Sequence, residues 1–219
     1  MTVLNSVIGT IKPGRYDDFL SQGLEVSKLV ERHGARNVRL LTAGAAGEQQ
    51  GRWVFNTEHE GLEEYGAFID ELMRDGEMLA LMTRLQSEAN PVLIEQQTVA
   101  VEVPIGRKTK AKKPAPIVET HLTRVTPGRL DRAIADAKRA CDFVEKHGAR
   151  NARLCQLLYA GSFSGTYMIT WEFENMQALG RAAAAWTSDP KGQELAATLT
   201  ANDAPTTIVF SGIYNEVPL

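Results

Sequence analysis

Cysteine is almost missing from this chain of 219 residues, with Cys141 and Cys155 the only two. A disulfide-stapled fold is thereby excluded, and the expectation is reduced, packed thiols in a cytoplasmic protein. A strong charge of one sign is also missing. Basic residues number 24 and acidic 27, a formal charge of −3, which gives no general attraction to nucleic acid or to an anionic membrane. Long apolar runs are lacking too. Val3, Leu4, Val7 and Ile8 are interrupted by Asn5 and Ser6, so the first residues do not read as a secretory signal, and no uncharged stretch approaches a membrane span. Histidine is scarce, at four residues, and shows no ligand pairing; Glu58-His59-Glu60 reads as a solvated strand end, so no metal site is expected. The glycines at 44, 47 and 51 lack the strand-to-helix context of a phosphate loop.

What the chain does contain is a duplication. Glu31 to Leu40 (ERHGARNVRL) returns at Glu145 to Leu154 (EKHGARNARL), and an offset of 114 holds from end to end without a gap. It aligns Pro13-Gly14-Arg15 with Pro127-Gly128-Arg129, Asp75 with Asp189 and Pro91 with Pro205; 27 of 105 aligned positions are identical. Unrelated sequences match at roughly one position in sixteen on average residue usage. The organisation expected is a first repeat over 1–104, a linker over 105–116, and a second repeat over 117–219. The linker holds five basic residues, two prolines and no acid, and reads as a solvated spacer.

Each repeat changes its hydrophobic period in the same order. Val3 to Ile11 and Ile117 to Val125 are β-branched, aliphatic runs that stop at Pro-Gly, the pattern of a strand. Tyr16, Phe19, Leu20, Gly23, Val26 and Val30 then recur at helical spacing, as do Leu130, Ile134, Ala137, Cys141 and Val144. That helix ends at His33-Gly34 or His147-Gly148, where glycine suits the left-handed closing residue and histidine faces the negative helix end. A hairpin follows, running through a glycine-bearing turn to Trp53-Val54-Phe55 or to Tyr167 to Trp171. A second helix comes next, then a short one opened by Asp189-Pro190 in the second copy, and a last strand after Pro91 or Pro205. The order is βαββαβ, so the fold class is α+β, with two ferredoxin-like repeats each leaving one sheet face uncovered.

The Pro-Gly-Arg turn, the helix ending in His-Gly-Ala-Arg, the strand after it and the aromatic third strand resemble the NIPSNAP-like branch of the dimeric α+β barrel superfamily, over nearly all of each repeat. The resemblance implies a barrel made of two ferredoxin-like units, here within one chain. It implies little about chemistry, because that superfamily includes cofactor-independent monooxygenases, isomerases, haem proteins and members without known activity.

Candidate site residues come from two comparisons. Among residues shared by the copies, His33 and His147 are expected to close helices, whereas Arg39 and Arg153, on strands that face a barrel interior, need a ligand or a carboxylate. Where the copies differ, the second gains function-capable side chains: Val7 becomes His121, Ala45 Tyr159, Thr57 Trp171, Leu72 Trp186, Gln96 Phe210 and Ala100 Tyr214. First and third strands are neighbours in this fold, which brings His121 beside Tyr167 or Trp171. The expectation is therefore a small, largely apolar organic ligand held in the second repeat by Tyr167, Trp171, Tyr159 and Phe210. If the protein is an enzyme, cofactor-independent oxygenation or isomerisation is expected, with His121 as base and Arg153 stabilising an oxyanion. The contrasting expectation is a structural or interaction module whose aromatics fill the core. Haem on His121 or His147 is a minor reading without attachment spacing, so no cofactor is expected. Neither nucleic acid nor a membrane is an expected partner, and a further homodimer stays open.

Overall fold

In the computed structural model, which describes residues 1–106 and 113–219, the two copies fold in parallel. The linker residues at 107–112 lie outside the described residues. The first copy contains β1 (Val3–Ile11), α1 (Tyr16–Arg32), β2 (Arg36–Ala45), β3 (Arg52–His59), α2 (Leu62–Leu72), α3 (Gly76–Leu85) and β4 (Val92–Glu102). The second contains β5 (Ile117–Val125), α4 (Leu130–Lys146), β6 (Arg150–Tyr159), β7 (Tyr167–Phe173), α5 (Met176–Ser188), α6 (Pro190–Thr200) and β8 (Thr206–Val217). A single 3₁₀ turn, Gly47–Gln49 or Gly161–Phe163, joins the hairpin strands in each copy.

The duplicated motif sets the geometry of each first helix and the strand after it. His33 is the C-terminal cap of α1, Gly34 adopts φ 92°, and Ala35 N–H donates back to the Val30 carbonyl at 3.0 Å. In the second copy Gly148 adopts φ 103° and Ala149 N–H reaches Val144 at the same distance. A side chain at either glycine would be strained, which explains why both copies carry one. His33 Nε2 then binds the Asp75 carboxylate at 2.9 Å, and that carboxylate also caps α3 by accepting from Glu77 and Met78 N–H. The histidine therefore ties the end of α1 to the start of α3. Past the glycine, Asn37 and Asn151 take φ 46° and 52°, and the register of β2 on β3 and of β6 on β7 shifts there.

The eight strands close into one barrel in the order β1-β3-β2-β8-β5-β7-β6-β4. Each repeat supplies four antiparallel strands, and the seams are β2 against β8 and β4 against β6. The edges of each sheet are thus paired by the other copy, which leaves no open edge. The helices cover the outside, and the sheet faces left bare in one repeat line the barrel interior.

At one end of the interior the copies exchange charges. Arg39 donates to Glu172 at 2.6 Å and to Glu216 at 2.9 Å, while Arg153 pairs with Glu58 at 2.6 Å. Arg39 corresponds to Arg153 and Glu172 to Glu58, so the two contacts are one contact repeated across the pseudo-twofold axis. Asn37 and Asn151, the strained residues of the motif, donate to Glu58 and Glu172, both at 2.9 Å. The duplicated motif thus aims an arginine at the other copy and fixes the carboxylate that receives the other copy's arginine.

Candidate functional site

Two spaces flank the sheet of the second repeat, one on each of its faces. Inside the barrel, a cavity of about 160 Å³ is lined by the paired arginines and by a belt of small polar side chains, among them Ser6, Asn56, Thr98, Thr120 and Thr170. On the outer face of the same sheet, beneath α4 and α6, lies a larger space of about 360 Å³. Its walls are apolar: Ala133, Ala137 and Ala140 from α4, Ala196 and Leu199 from α6, and Tyr167, Ile169, Trp171 and Trp186.

This outer pocket exists because the second copy is emptier there. The matching space in the first copy measures about 130 Å³ and is lined by Phe19, Trp53, Phe55 and Gly23. At the offset of 114 those residues become Ala133, Tyr167, Ile169 and Ala137, so a phenyl ring is removed from the helix and another from the sheet. Phe19 is itself packed on Trp53, with ring centroids 5.8 Å apart.

One corner of the pocket is polar and spans three adjacent strands. On β5, Glu119 and His121 are two residues apart and share the helix-side face. Glu119 sits opposite Trp171 on β7, and His121 sits opposite Ser211 on β8. Trp171 Nε1 donates to Glu119 Oε2 at 2.6 Å, His121 Nε2 lies 3.3 Å from Glu119 Oε1, and His121 Nδ1 lies 2.7 Å from Ser211 Oγ. The imidazole also packs on the indole, centroids 5.1 Å apart. Burial works to raise the Glu119 pKa, but the hydrogen bond and charge of His121 and the indole N–H outweigh it, leaving the carboxyl below its usual range. The first copy has Asn5, Val7, Thr57 and Gln97 at these four places, with neither imidazole nor carboxylate.

The residues expected from the sequence to share one site are distributed over both faces of the sheet. His121, Tyr167 and Trp171 do line the outer pocket together. Arg153 does not join them. It points into the barrel, because alternate strand residues face opposite sides, and its guanidinium is held by Glu58. Phe210 also lines the barrel cavity, since it stands opposite Leu122, one residue out of step with the His121–Ser211 pair. Tyr159, at the end of β6, is 70 % exposed and lines neither space. His59 corrects another expectation: instead of a solvated strand end it is fully buried, bonded to Thr57 at 3.2 Å and packed on Tyr65 and Phe68. Glu119, Ser211 and Ala133 were the residues that pattern reading missed. Subtracting one copy from the other for lost bulk, and not only for gained aromatics, would have exposed Ala133.

Groups able to hold a metal or haem can be sought in the same geometry. Among the described residues, no three His, Cys, Asp or Glu side chains form a metal-binding group. His121 has both ring nitrogens engaged by protein groups, Nδ1 by Ser211 and Nε2 by Glu119. His147 closes α4 at 3.5 Å from Asp189 and stacks on Phe143. Cys141 and Cys155 are both buried, and burial pushes the Cys155 thiol up to about 11, which keeps it from acting as a nucleophile. No described helix is long and apolar enough to cross a membrane.

No protein-family model matches the chain, and no curated protein sequence matches it. Solved structures do. A protein of Fusobacterium nucleatum proposed to be a monooxygenase superposes with a TM-score of 0.62 at 9 % identity, covering 98 % of this chain and 91 % of that one. A Listeria monocytogenes ferredoxin-fold protein related to antibiotic biosynthesis monooxygenases superposes at 0.53 with 10 % identity, covering 100 % and 97 %. A haem-binding protein of Thermus thermophilus superposes at 0.56 with 8 % identity, covering 99 % and 91 %. At such identities the likeness concerns the fold. The shared fold is a barrel of ferredoxin-like α+β units. In this chain both ferredoxin-like halves are carried by one polypeptide, related by the sequence repeat.

Proposed function

We propose that the outer pocket of the second repeat binds a small, largely apolar organic molecule, with the Glu119–His121–Trp171 corner fixing its polar end. The observation that carries this reading is the local difference between the copies: Phe19 and Phe55 give way to Ala133 and Ile169, and the space is about 360 Å³ against about 130 Å³, in the same copy that gains the polar corner and the indoles of Trp171 and Trp186. A core without a ligand role has no reason to exchange two phenyl rings for a space of about 360 Å³, since unfilled apolar volume costs stability. The same contrast favours a ligand over a purely structural role for the aromatics.

Trp171 and Trp186 both line the pocket, so they serve as reporters. The neutral dye N-phenyl-1-naphthylamine should quench their fluorescence and brighten on binding. Ala133→Phe, which restores the first copy's side chain, should abolish both effects. Undiminished dye binding by that variant would sink the proposal.

Cofactor-independent oxygenation is the second reading, favoured by neighbours described as monooxygenase-like and by the apolar lining of the pocket. On this reading the NIPSNAP-like features are those of a branch of the same superfamily. Isomerisation uses the same groups, His121 being the only imidazole lining the pocket.

A further inference from the structure

The polar corner contains more than a binding contact. Ser211 Oγ, His121 and Glu119 form a continuous chain, with the hydroxyl 2.7 Å from Nδ1 and Nε2 3.3 Å from the carboxylate. In the neutral imidazole, the tautomer with its proton on Nε2 suits the carboxylate, which only accepts, and leaves Nδ1 to accept from the Ser211 hydroxyl. Glu119 is anchored in turn by the Trp171 N–H at 2.6 Å. A nucleophile on a base that is oriented by a third group is the arrangement that activates serine for acyl transfer. Ser211 is exposed on β8 and bonded to His121, which lines the pocket, so a carbonyl group can reach the hydroxyl while an apolar acyl or aryl part enters the space beyond the imidazole.

We propose that Ser211 is a nucleophile, His121 its general base and Glu119 the group that orients the base, and that the site hydrolyses esters of apolar acids or phenols. This assignment rests on the pocket being open to apolar molecules. In the reaction Ser211 Oγ bonds to the ester carbonyl carbon and its proton passes to His121 Nδ1. The bond from that carbon to the leaving oxygen breaks, and the leaving oxygen takes the proton. Water then attacks the acyl-serine, giving its proton to Nδ1; the acyl–Oγ bond breaks and Oγ recovers the proton. Ester and water become acid and alcohol, with no oxidant or reductant.

Labelling of the full chain with an alkyl fluorophosphonate, read by peptide mass mapping, tests the nucleophile, and p-nitrophenyl butyrate tests turnover. One phosphonyl group on Ser211 is expected, with Ser211→Ala removing it and lowering hydrolysis at least tenfold. His121→Gln should slow labelling at least tenfold. Should Ser211→Ala fail to fold, Ser211→Cys supplies a second reading: the introduced thiol should alkylate with iodoacetamide at least tenfold faster than it does when combined with His121→Gln. The idea is overturned if Ser211 stays unlabelled in a fully mapped digest, if Ser211→Ala turns the ester over at the parent rate, or if His121→Gln leaves alkylation unchanged. Labelling of Ser211 in a protein that does not bind N-phenyl-1-naphthylamine would support the relay while refuting the pocket reading.

Discussion

The two copies of this chain solve the same folding problem with the same signals, yet build different layers beneath their first helices. In the first copy the layer is filled: Phe19, Trp53 and Phe55 occupy it, and its polar part is a closed network in which Gln97 donates to Asn5 at 2.9 Å, Asn5 to Thr57 at 3.3 Å, and Thr57 meets the buried His59. In the second copy the same layer is hollow, and its polar part ends at the surface on Ser211. The shared residues specify the scaffold, and the differences confine the Glu119–His121–Ser211 corner and the open layer beside it to one half of the barrel.

The largest expected effect concerns what the copies exchange. Removing Glu172 leaves Arg39 buried with only Glu216 and the Ala115 carbonyl, and Ala115 N–H also loses its acceptor. Glu172→Ala should cost about 3–5 kcal/mol, the range for breaking a buried ion pair on one side. Glu58→Ala should cost less, because the Arg153–Glu58 pair is more exposed, at 20 % and 16 % against 6 % and 7 %. Urea denaturation of both variants measures the difference, and equal losses would remove the asymmetry between the two ends of the exchange.

Next comes the packing contrast itself. Phe19→Ala should cost about 3 kcal/mol or more and create a second hollow layer. Ala133→Phe places the same ring where space of about 360 Å³ exists and should leave stability within about 1–2 kcal/mol of the parent. Urea midpoints of the two variants test whether the copies differ as the structure requires. A loss with Ala133→Phe as large as that with Phe19→Ala would mean that the second layer is already tightly packed.

These variants also mark how much was legible in advance. The βαββαβ order could be read because Pro-Gly turns, helical spacing and the His-Gly stop are local signals, each stated twice. The partners of Arg39 and Arg153 could not, since Arg39 and Glu172 are 133 residues apart and belong to different copies. His121 and Trp171 were visible as gains. Glu119 and Ser211 were not, because exchanging Asn5 or Gln97 for another polar residue changes the chemistry without changing the hydrophobic pattern. Phe210 and Tyr159 were drawn into the site because an aromatic gain does not say which way a side chain points. Only pairing parity does, and the register of β8 shifts beside Phe210.

A smaller effect tests the polar corner. Trp171→Phe keeps the ring but removes the N–H from Glu119, whose other oxygen stays with His121. The expected cost is about 1–2 kcal/mol, at the lower end for a hydrogen bond to a charged group because Glu119 is part-exposed. The Glu119 carboxyl, held below its usual range in the fold, contributes stability that is fully present above the unfolded value of about 4.3 and is lost as pH falls from there through the lower folded value. Trp171→Phe should weaken that acid dependence as well as the midpoint. An unchanged midpoint would show that the indole N–H is equally well satisfied by water.

The smallest effect separates the two polar layers by pH alone. Burial of His59 favours its neutral form; the nearby Glu64 and Glu58 oppose this and Arg36 reinforces it, with the net result that the pKa lies below its ordinary value. The sign follows directly. Below about pH 6.5 the unfolded chain takes up a proton that the folded chain refuses, so stability falls as pH drops from there toward the folded-state value. Carboxylates such as Glu119 act in a lower window, below about pH 5, so the two contributions are separable. His59→Phe installs the side chain that the second copy carries at Phe173, where it is fully buried. Plotted against pH, the unfolding free energy of this variant should fall less between about pH 6.5 and 5 than that of the parent, while the decline below about pH 5 persists in both. Parent and variant profiles that coincide in the upper window would mean that His59 takes up its proton as readily in the fold as in the unfolded chain, and that burial does not hold the first copy's layer neutral.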